Sequence, residues 1–385
     1  MIKREMATLL RAGVREMPVV TITGPRQSGK TTLVRETLTA YKYVNLEQKD
    51  LREEALADPL GLLERLGHKV IFDEVQNAPD LLSYIQVRVD EERRKGQYVL
   101  TGSQNLLLLE KVSQSLAGRT YVQHLLPLSA RELNKAKLLT DDPWEWVHKG
   151  GYPTLYETRS RRGNWHQGYL ETYVQRDVRQ VLNVQDLDRF GRFITLCASR
   201  IGQLWNQSSV ATELGVDGTT VNRWLSLLKS SYIAFKLPPY HRNYSKRLVK
   251  TPKLYFYDTG LACSLLGIRT PQELELHWMK GPLLENAIVV DRMKGHFNVG
   301  DAPNLFFWRD KHGREVDLIE EGNPVHAIEV KAGRTLNAPM REGLDWFRDL
   351  AEPTPKATLV YLGDLRSTRE GITTVNWKRF LTGPK

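Results

Sequence analysis

Short apolar blocks punctuate the first third of the chain, and longer stretches with a helical period fill the gaps between them. Val19-Val20-Thr21-Ile22, Tyr41 to Leu46, Lys69 to Phe72, Tyr98-Val99-Leu100 and Tyr121 to Leu126 have the length of buried strands. Leu81 to Lys95 sets Leu82, Ile85 and Val89 among charged positions at helical spacing. Strands alternating with helices predict an α/β domain over residues 1–135. It is a parallel sheet with helices on both faces and its ligand at the carboxyl ends of the strands.

Beyond it, Leu128 to about Val184 is mostly helical and is broken at Gly150-Gly151-Tyr152-Pro153, which predicts a helical lid or linker over 136–200. Residues 201–262 predict a winged helix-turn-helix. A short helix from Ser208 ends at Gly215, and a second from Thr219 to Leu228 is capped by Asp217 or Thr219. Ala211, Leu214, Val216, Val221, Leu225 and Leu228 supply the packed faces, and strands around Ile233–Leu237 and Leu254–Tyr257 form the wing. Residues 263–385 predict a second α/β domain, with a helix Pro282 to Met293 and strands Leu305–Arg309, Glu315–Glu320 and Val325–Lys331.

At 385 residues the chain is long enough for several domains. Its apolar runs, such as Leu106 to Leu109, fall short of a membrane span. The stretch Met1 to Met6 lacks the apolar core of a secretory signal, and two cysteines, Cys197 and Cys263, exclude a disulfide framework or a Cys-rich zinc site. The expectation is a cytoplasmic protein with no membrane partner. The net charge of +10 changes the picture once it is placed: residues 151–260 carry 16 Lys and Arg against 8 Asp and Glu, while the flanking segments are close to balanced. A local basic excess points to nucleic acid as a partner.

The chemistry is most specific at Gly24-Pro25-Arg26-Gln27-Ser28-Gly29-Lys30-Thr31, which matches G-x-x-x-x-G-K-[ST] between a strand and a helix that continues through Thr32. Glycines let backbone N–H groups close on phosphate oxygens at a helix N-terminus. Lys30 then neutralises the β- and γ-phosphates, and the Thr31 hydroxyl sits on Mg²⁺. Asp73 and Glu74 end an apolar strand, Asp73 to hold Mg²⁺ and Glu74 to orient or deprotonate the attacking water. ATP and Mg²⁺ are the cofactors this implies. The strand Tyr98–Leu100 runs into a polar loop that resembles the place where AAA-type ATPases carry a γ-phosphate sensor, which makes Ser103 the first candidate and Gln104 the second; a serine in a turn fits equally well. Arg119 is a candidate finger, in cis or from a neighbouring subunit of a homo-oligomer built through this domain; a surface arginine beside a glycine fits it equally well. Arg176 fits a lid arginine less well than an Arg–Asp pair with Asp177.

The exposed side of the second helix offers Thr220, Asn222, Arg223 and Ser226 to a DNA groove. His241, Arg242, Lys246, Arg247, Lys250 and Lys253, interleaved with Tyr240 and Tyr244, suit phosphate contacts in the wing loop. Winged helices also contact protein, so that alternative stays open. In the last domain Asp317, Glu329 and Lys331 form a D…E-x-K constellation, with Glu285 on the preceding helix as a further acid. The constellation resembles that of restriction-endonuclease-like nucleases, and the resemblance implies Glu285, Asp317 and Glu329 as candidate Mg²⁺ ligands and Lys331 as a support for the attacking water. A Glu–Lys pair on an exposed hairpin is the competing explanation.

As a set these motifs resemble a prokaryotic family of AAA-type ATPases whose C-terminal half holds a restriction-endonuclease-like (PD-(D/E)xK-type) core. The resemblance is carried by Gly24 to Leu33, Phe72 to Gln76, Leu100 to Gln104, Leu116 to Arg119, Tyr173 to Asp177, Lys253 to Leu261 and Glu315 to Leu318, and it spans nearly the whole chain. It implies an Mg²⁺-dependent ATPase that couples ATP binding and hydrolysis to DNA binding, with DNA cleavage by the last domain as a further expectation. The alternatives are a nucleotide-gated DNA-binding switch or assembly factor with an inactive nuclease core, and a signalling or chaperone-like NTPase whose winged helix binds protein.

Overall fold

Five buried residues in a row, Val19–Thr23, make β1 the spine of the N-terminal domain. A computed structural model describes the chain except residues 1, 104–111, 113–114, 158–161, 174–186, 241–248, 352 and 384–385. Around β1 lie β2 (Lys42–Asn45), β3 (Val70–Asp73), β4 (Tyr98–Gly102) and β5 (Thr120–His124), in the order β2-β3-β4-β1-β5 with every pair parallel. Alternation of side chains sends Val20, Ile22, Ile71 and Val99 to one face, against Met6, Leu10, Leu33 and Val34 of helices Met6–Glu16 and Lys30–Thr37. Val19, Phe72, Tyr98 and Leu100 face the other way, onto Leu62, Leu63, Leu82 and Ile85. A parallel sheet buried on both faces results, with its carboxyl ends at one edge.

Most of the rest of the chain shares a core that runs from Leu126 to Leu381, and a second cluster around Trp308, Val316 and Phe347 lies on the other face of the C-terminal sheet. Helix Arg162–Tyr173 reaches the phosphate loop through Trp165 and Gln27, and Pro153, ahead of it, lies 3.8 Å from the place a Cβ on Gly29 would take. Helix Leu187–Ala198 packs on Gln207–Leu214 and Gly218–Ser230. Asn206 and Asp217 cap the latter two by accepting from the Ser209 and Thr220 N–H groups, and Gly215 closes the turn at φ +64°. Asp217, not Thr219, is the cap. An antiparallel pair follows, β6 (Ala234–Leu237) and β7 (Lys253–Phe256).

The C-terminal sheet is mixed, in the order β12-β13-β11-β10-β9-β8. Its strands are β8 (Leu305–Arg309), β9 (Glu315–Glu320), β10 (His326–Lys331), β11 (Lys356–Tyr361), β12 (Ser367–Arg369) and β13 (Ile372–Asn376). The long helix Lys280–Val299 covers one face and helix Glu342–Leu350 the other. Asn286 on the long helix exchanges two hydrogen bonds with the Phe256 backbone, at 2.8 and 2.7 Å, and so ties β7 to this domain. Asp258 caps helix Thr259–Leu265 while also accepting from Gly151 N–H at 2.7 Å. The Asp258-Thr259-Gly260 motif is therefore a packing device for the Gly150-Gly151 turn. Among the described residues no helix is long and apolar enough to cross a membrane.

Candidate active site

The phosphate loop leaves β1 at Gly24, whose φ of +150° and closeness to the Leu125 carbonyl exclude any side chain, since a Cβ there would lie 2.1 Å from that oxygen. Gln27 and Gly29 turn the backbone back through φ of +58° and +93° into helix Lys30–Thr37. Lys30 is buried and donates to the Gly24 and Pro25 carbonyls at 3.0 and 2.9 Å. Burial lowers its ammonium to about 8, against the pull of Glu74 and Asp73. Ser28 Oγ is buried without a hydrogen-bond partner.

The structure brings the expected acids to this loop. Thr31 Oγ1 donates to Asp73 Oδ2 at 2.7 Å, Tyr43 OH to the same oxygen at 2.6 Å, and Thr101 Oγ1 to Oδ1. Glu74 stands beside it at φ +55°, a left-handed conformation unusual for a glutamate, and accepts from Ser103 Oγ at 3.1 Å and from Gln76 Nε2. Thr31 and Asp73 fit a hard cation by donor type, and the partnerless Ser28 hydroxyl inside the loop fits an incoming phosphate. Gln104 lies outside the described residues.

Several residues here carried no motif signal. Arg4 donates to the Ser28 carbonyl at 2.7 Å, to the Leu126 carbonyl at 2.6 Å and to the fully buried Glu132 at 2.9 Å, and so fastens the loop from below. Trp165 Nε1 donates to Gln27 Oε1 at 3.1 Å and packs with Tyr152 and Tyr169. Thr23, the last residue before the loop, bonds Tyr232 OH at 2.7 Å and His124 Nδ1 at 3.0 Å, and Tyr232 follows directly on helix Gly218–Ser230.

Other expected residues are placed elsewhere. Arg119 precedes β5, where its carbonyl accepts from Val19 N–H, so it stands at the amino end of the sheet. Five strand residues put about 16 Å between it and the loop. Its guanidinium is held by Asp90 at 2.6 and 2.8 Å, so the cis reading of Arg119 is corrected. Asn222, Arg223 and Ser226 are exposed on one side of helix Gly218–Ser230, while the Thr220 hydroxyl donates to Asp217 at 2.9 Å. Lys250 is exposed, whereas Arg176, Arg242, Lys246 and Arg247 lie outside the described residues. Tyr240 and Val249, at either end of the basic segment, bond the Phe307 and Arg309 carbonyls. The described residues on either side of it are thus tied to β8, the edge strand of the C-terminal sheet. Lys253 is buried and ion-paired, which corrects its place among the phosphate-contacting residues.

Glu285, Asp317, Glu329 and Lys331 do gather at one site, but the acids are engaged. Lys253 and Tyr255 hold Glu285, Lys331 holds Glu329, and Asp317 accepts from Val330 N–H at 2.8 Å. Burial, against the pull of Lys253, raises the Glu285 carboxyl to about 7, and burial with Asp317 raises that of Glu329 well above the usual range. Among the described residues no group of three or more His, Cys, Asp or Glu side chains is arranged to hold a metal ion. The expectation that Glu285, Asp317 and Glu329 are metal ligands is corrected on that ground.

Comparison with known proteins divides the chain in three. A family model described as an AAA domain matches residues 16–134, and models of two domains of unknown function, DUF8612 and DUF4143, match 140–272 and 280–380. The uncharacterized protein Rv2008c of Mycobacterium tuberculosis is 32% identical over 350 residues, which cover 89% of this chain and 77% of that protein, and Mb2031c of Mycobacterium bovis gives the same figures. The uncharacterized protein MJ1544 of Methanocaldococcus jannaschii is 23% identical over 342 residues, covering 80% and 73%. Among solved structures, the Walker-type ATPase of Pyrococcus abyssi is 16% identical and matches 68% of this chain and 94% of its own at a TM-score of 0.46. The Thermotoga maritima RuvB Holliday junction branch migration motor is 18% identical, over 62% and 90%, at 0.33.

Proposed function

As the chain belongs to the family of the mycobacterial proteins Rv2008c and Mb2031c, with an AAA-type P-loop ATPase domain at its N-terminus, we propose that it is an Mg²⁺-dependent ATPase whose nucleotide state is coupled to DNA binding. The observation that carries this reading is the contact chain Thr31–Asp73 and Glu74–Ser103 around the loop, together with the Thr23–Tyr232 bond that joins the loop's strand to the end of helix Gly218–Ser230.

The residues divide the work as follows. Lys30 leaves the Gly24 and Pro25 carbonyls for phosphate oxygens, and the loop from Gly24 to Thr32, with Arg26, Gln27 and Ser28, encloses them. Thr31 and Asp73 would hold Mg²⁺, and the ion would supply neutralising charge to the phosphates of a bound nucleotide. Glu74, oriented by Ser103 and Gln76, takes the proton of the attacking water. Ser103 is placed to report the γ-phosphate to Glu74. Asn222 and Arg223 face a DNA groove, with Thr220 held to the helix cap, and Lys250, Arg242, Lys246 and Arg247 contact phosphates. Arg119 enters this scheme only from a neighbouring subunit.

The test pairs phosphate release with DNA binding by fluorescence anisotropy across a salt series. Lys30→Ala is expected to abolish turnover. Arg223→Glu is expected to weaken DNA binding by about 1–3 kcal/mol and to relax its sequence preference. Turnover retained by a clean Lys30→Ala preparation would sink the ATPase assignment. DNA affinity that neither salt nor Arg223→Glu changes would transfer the helix-turn-helix to a protein partner.

A further inference from the structure

Helix Glu342–Leu350 packs on β9, β10 and β11, and the same face of the C-terminal sheet continues past it onto β13 and β12. There it floors a cavity of about 230 Å³. Register sets Leu359, Thr374 and Ser367 in one row across β11, β13 and β12, and Ile372 with Arg369 in the next. Leu336 and Leu365 close the sides, so the lining is largely apolar with polar groups at a few fixed points. Thr374 is 6% exposed, and its hydroxyl bonds none of the described residues. Arg341 enters from the turn ahead of helix Glu342–Leu350, with Nη2 2.6 Å from Glu370 and 3.6 Å from Asp345. Its Nη1 and Nε bond none of the described residues. Arg369 meets no carboxylate among the described residues.

We propose that this cavity binds a small organic monocarboxylate, with the carboxylate on Arg369 and Arg341 and the apolar body over Leu336, Leu359 and Ile372. Guanidinium groups match the two oxygens of a carboxylate, and the Thr374 hydroxyl stands in the floor to donate a further bond. Glu370 is 79% exposed, so its pair with Arg341 is a surface contact that an incoming anion can exchange. The volume lies below the span of about 300–1,000 Å³ usual for drug-sized ligands, so the body is no larger than one ring or a branched aliphatic chain. Charge is limited as well. Arg341 is already shared with two acids, which leaves the equivalent of one cation for the ligand. A phosphate dianion would set its second charge against leucine and isoleucine without compensation. An uncharged alcohol would leave the guanidinium groups unmatched. Binding there requires neither ATP hydrolysis nor DNA, and the cavity contains none of Glu285, Asp317 and Glu329.

The probe is para-fluorobenzoate, followed by the broadening of its fluorine NMR line in the presence of the full-length protein. Saturable binding with a Kd below about 1 mM is expected, competed by isovalerate but not by equal concentrations of inorganic phosphate or benzyl alcohol. Arg369→Gln and Thr374→Val are each expected to weaken it about tenfold. Glu370→Gln removes the competing carboxylate from Arg341 and is expected to tighten binding about threefold. Arg369 and Glu370 are exposed, so both of their variants keep the fold even where Thr374→Val does not. Absence of saturable binding by both the unsubstituted protein and Glu370→Gln would overturn the proposal. So would binding that Arg369→Gln leaves unchanged, or displacement by phosphate as effective as by isovalerate, which would mark a general anion surface.

Discussion

Lys30 stands between two sets of acceptors, and its proton decides which set it serves. Without phosphate it donates to the Gly24 and Pro25 carbonyls, and burial has brought it down to about 8. A polyphosphate against the same Nζ favours the charged form, so the bound protein holds the proton to higher pH than the free protein does. Binding therefore takes up a proton once the pH exceeds that of the free lysine. Nucleotide affinity is expected to be level below pH 8 and to fall about tenfold per unit above it, until the bound-state value is reached. Titration of a fluorescent ADP analogue across that range checks this, and Lys30→Arg, charged throughout, should give a flat line. A flat line for the unsubstituted protein would rule out this account of Lys30. Lys30, Thr31, Asp73 and Glu74 were legible in the sequence because each lies in a contiguous motif at a strand end. Tyr43 and Trp165 reach the same site from separate elements, and nothing local in their surroundings marks them.

At the scale of elements, the N-terminal segment has work that its composition does not announce. Arg4 joins the phosphate loop, through the Ser28 carbonyl, to the stretch after β5, through the Leu126 carbonyl and the Glu132 carboxylate of helix Ala130–Lys135. Glu132 is fully buried, and it also accepts from the Ser129 and Glu5 N–H groups. Removal of Arg4 strands that carboxylate, and breaking such a buried pair costs about 3–5 kcal/mol. Arg4→Ala is expected to lower the free energy of unfolding, read from denaturant titration, by that amount and to raise the KM for ATP. Arg4→Lys should recover little, because one ammonium cannot span three acceptors in fork geometry. Unchanged stability and KM in Arg4→Ala would show that the loop is held by its own turns. The strands were legible as short continuous apolar blocks, the pattern a sheet covered on both faces requires, and so were the helix-turn-helix faces. The basic segment before β7 was misread at one end. A lysine among cations and tyrosines suggests a solvated loop, and only the acids of Glu285 and Glu315, brought in by the tertiary fold, make Lys253 a buried ion.

At the scale of the whole molecule, the sequence pattern separates the domains, but the bonds that connect them are side-chain matters. Thr23 ends β1 one residue before the phosphate loop, and His124 lies opposite it in register on β5. Their hydroxyl and ring nitrogen meet Tyr232 OH at 2.7 and 2.9 Å. Tyr232 is an aromatic residue held at φ +56° directly after the helix that offers Asn222 and Arg223 to solvent. Movement of the loop on nucleotide exchange thus has a direct, buried route to that helix. Tyr232→Phe removes one hydroxyl and leaves the Thr23–His124 bond in place, at an expected cost of about 1 kcal/mol in stability. Its expected effect on coupling is larger in kind. If the hydroxyl carries the linkage, DNA will no longer change ATP affinity, and nucleotide will no longer change DNA affinity, because a coupling free energy acts equally in both directions. Both affinities are to be measured with and without the other ligand, in the unsubstituted protein and in Tyr232→Phe. Loss of linkage in both directions with each separate affinity retained supports the route through Thr23. Linkage that survives intact in a folded Tyr232→Phe protein places the coupling elsewhere, with the Trp165–Gln27 contact as the next connection to cut.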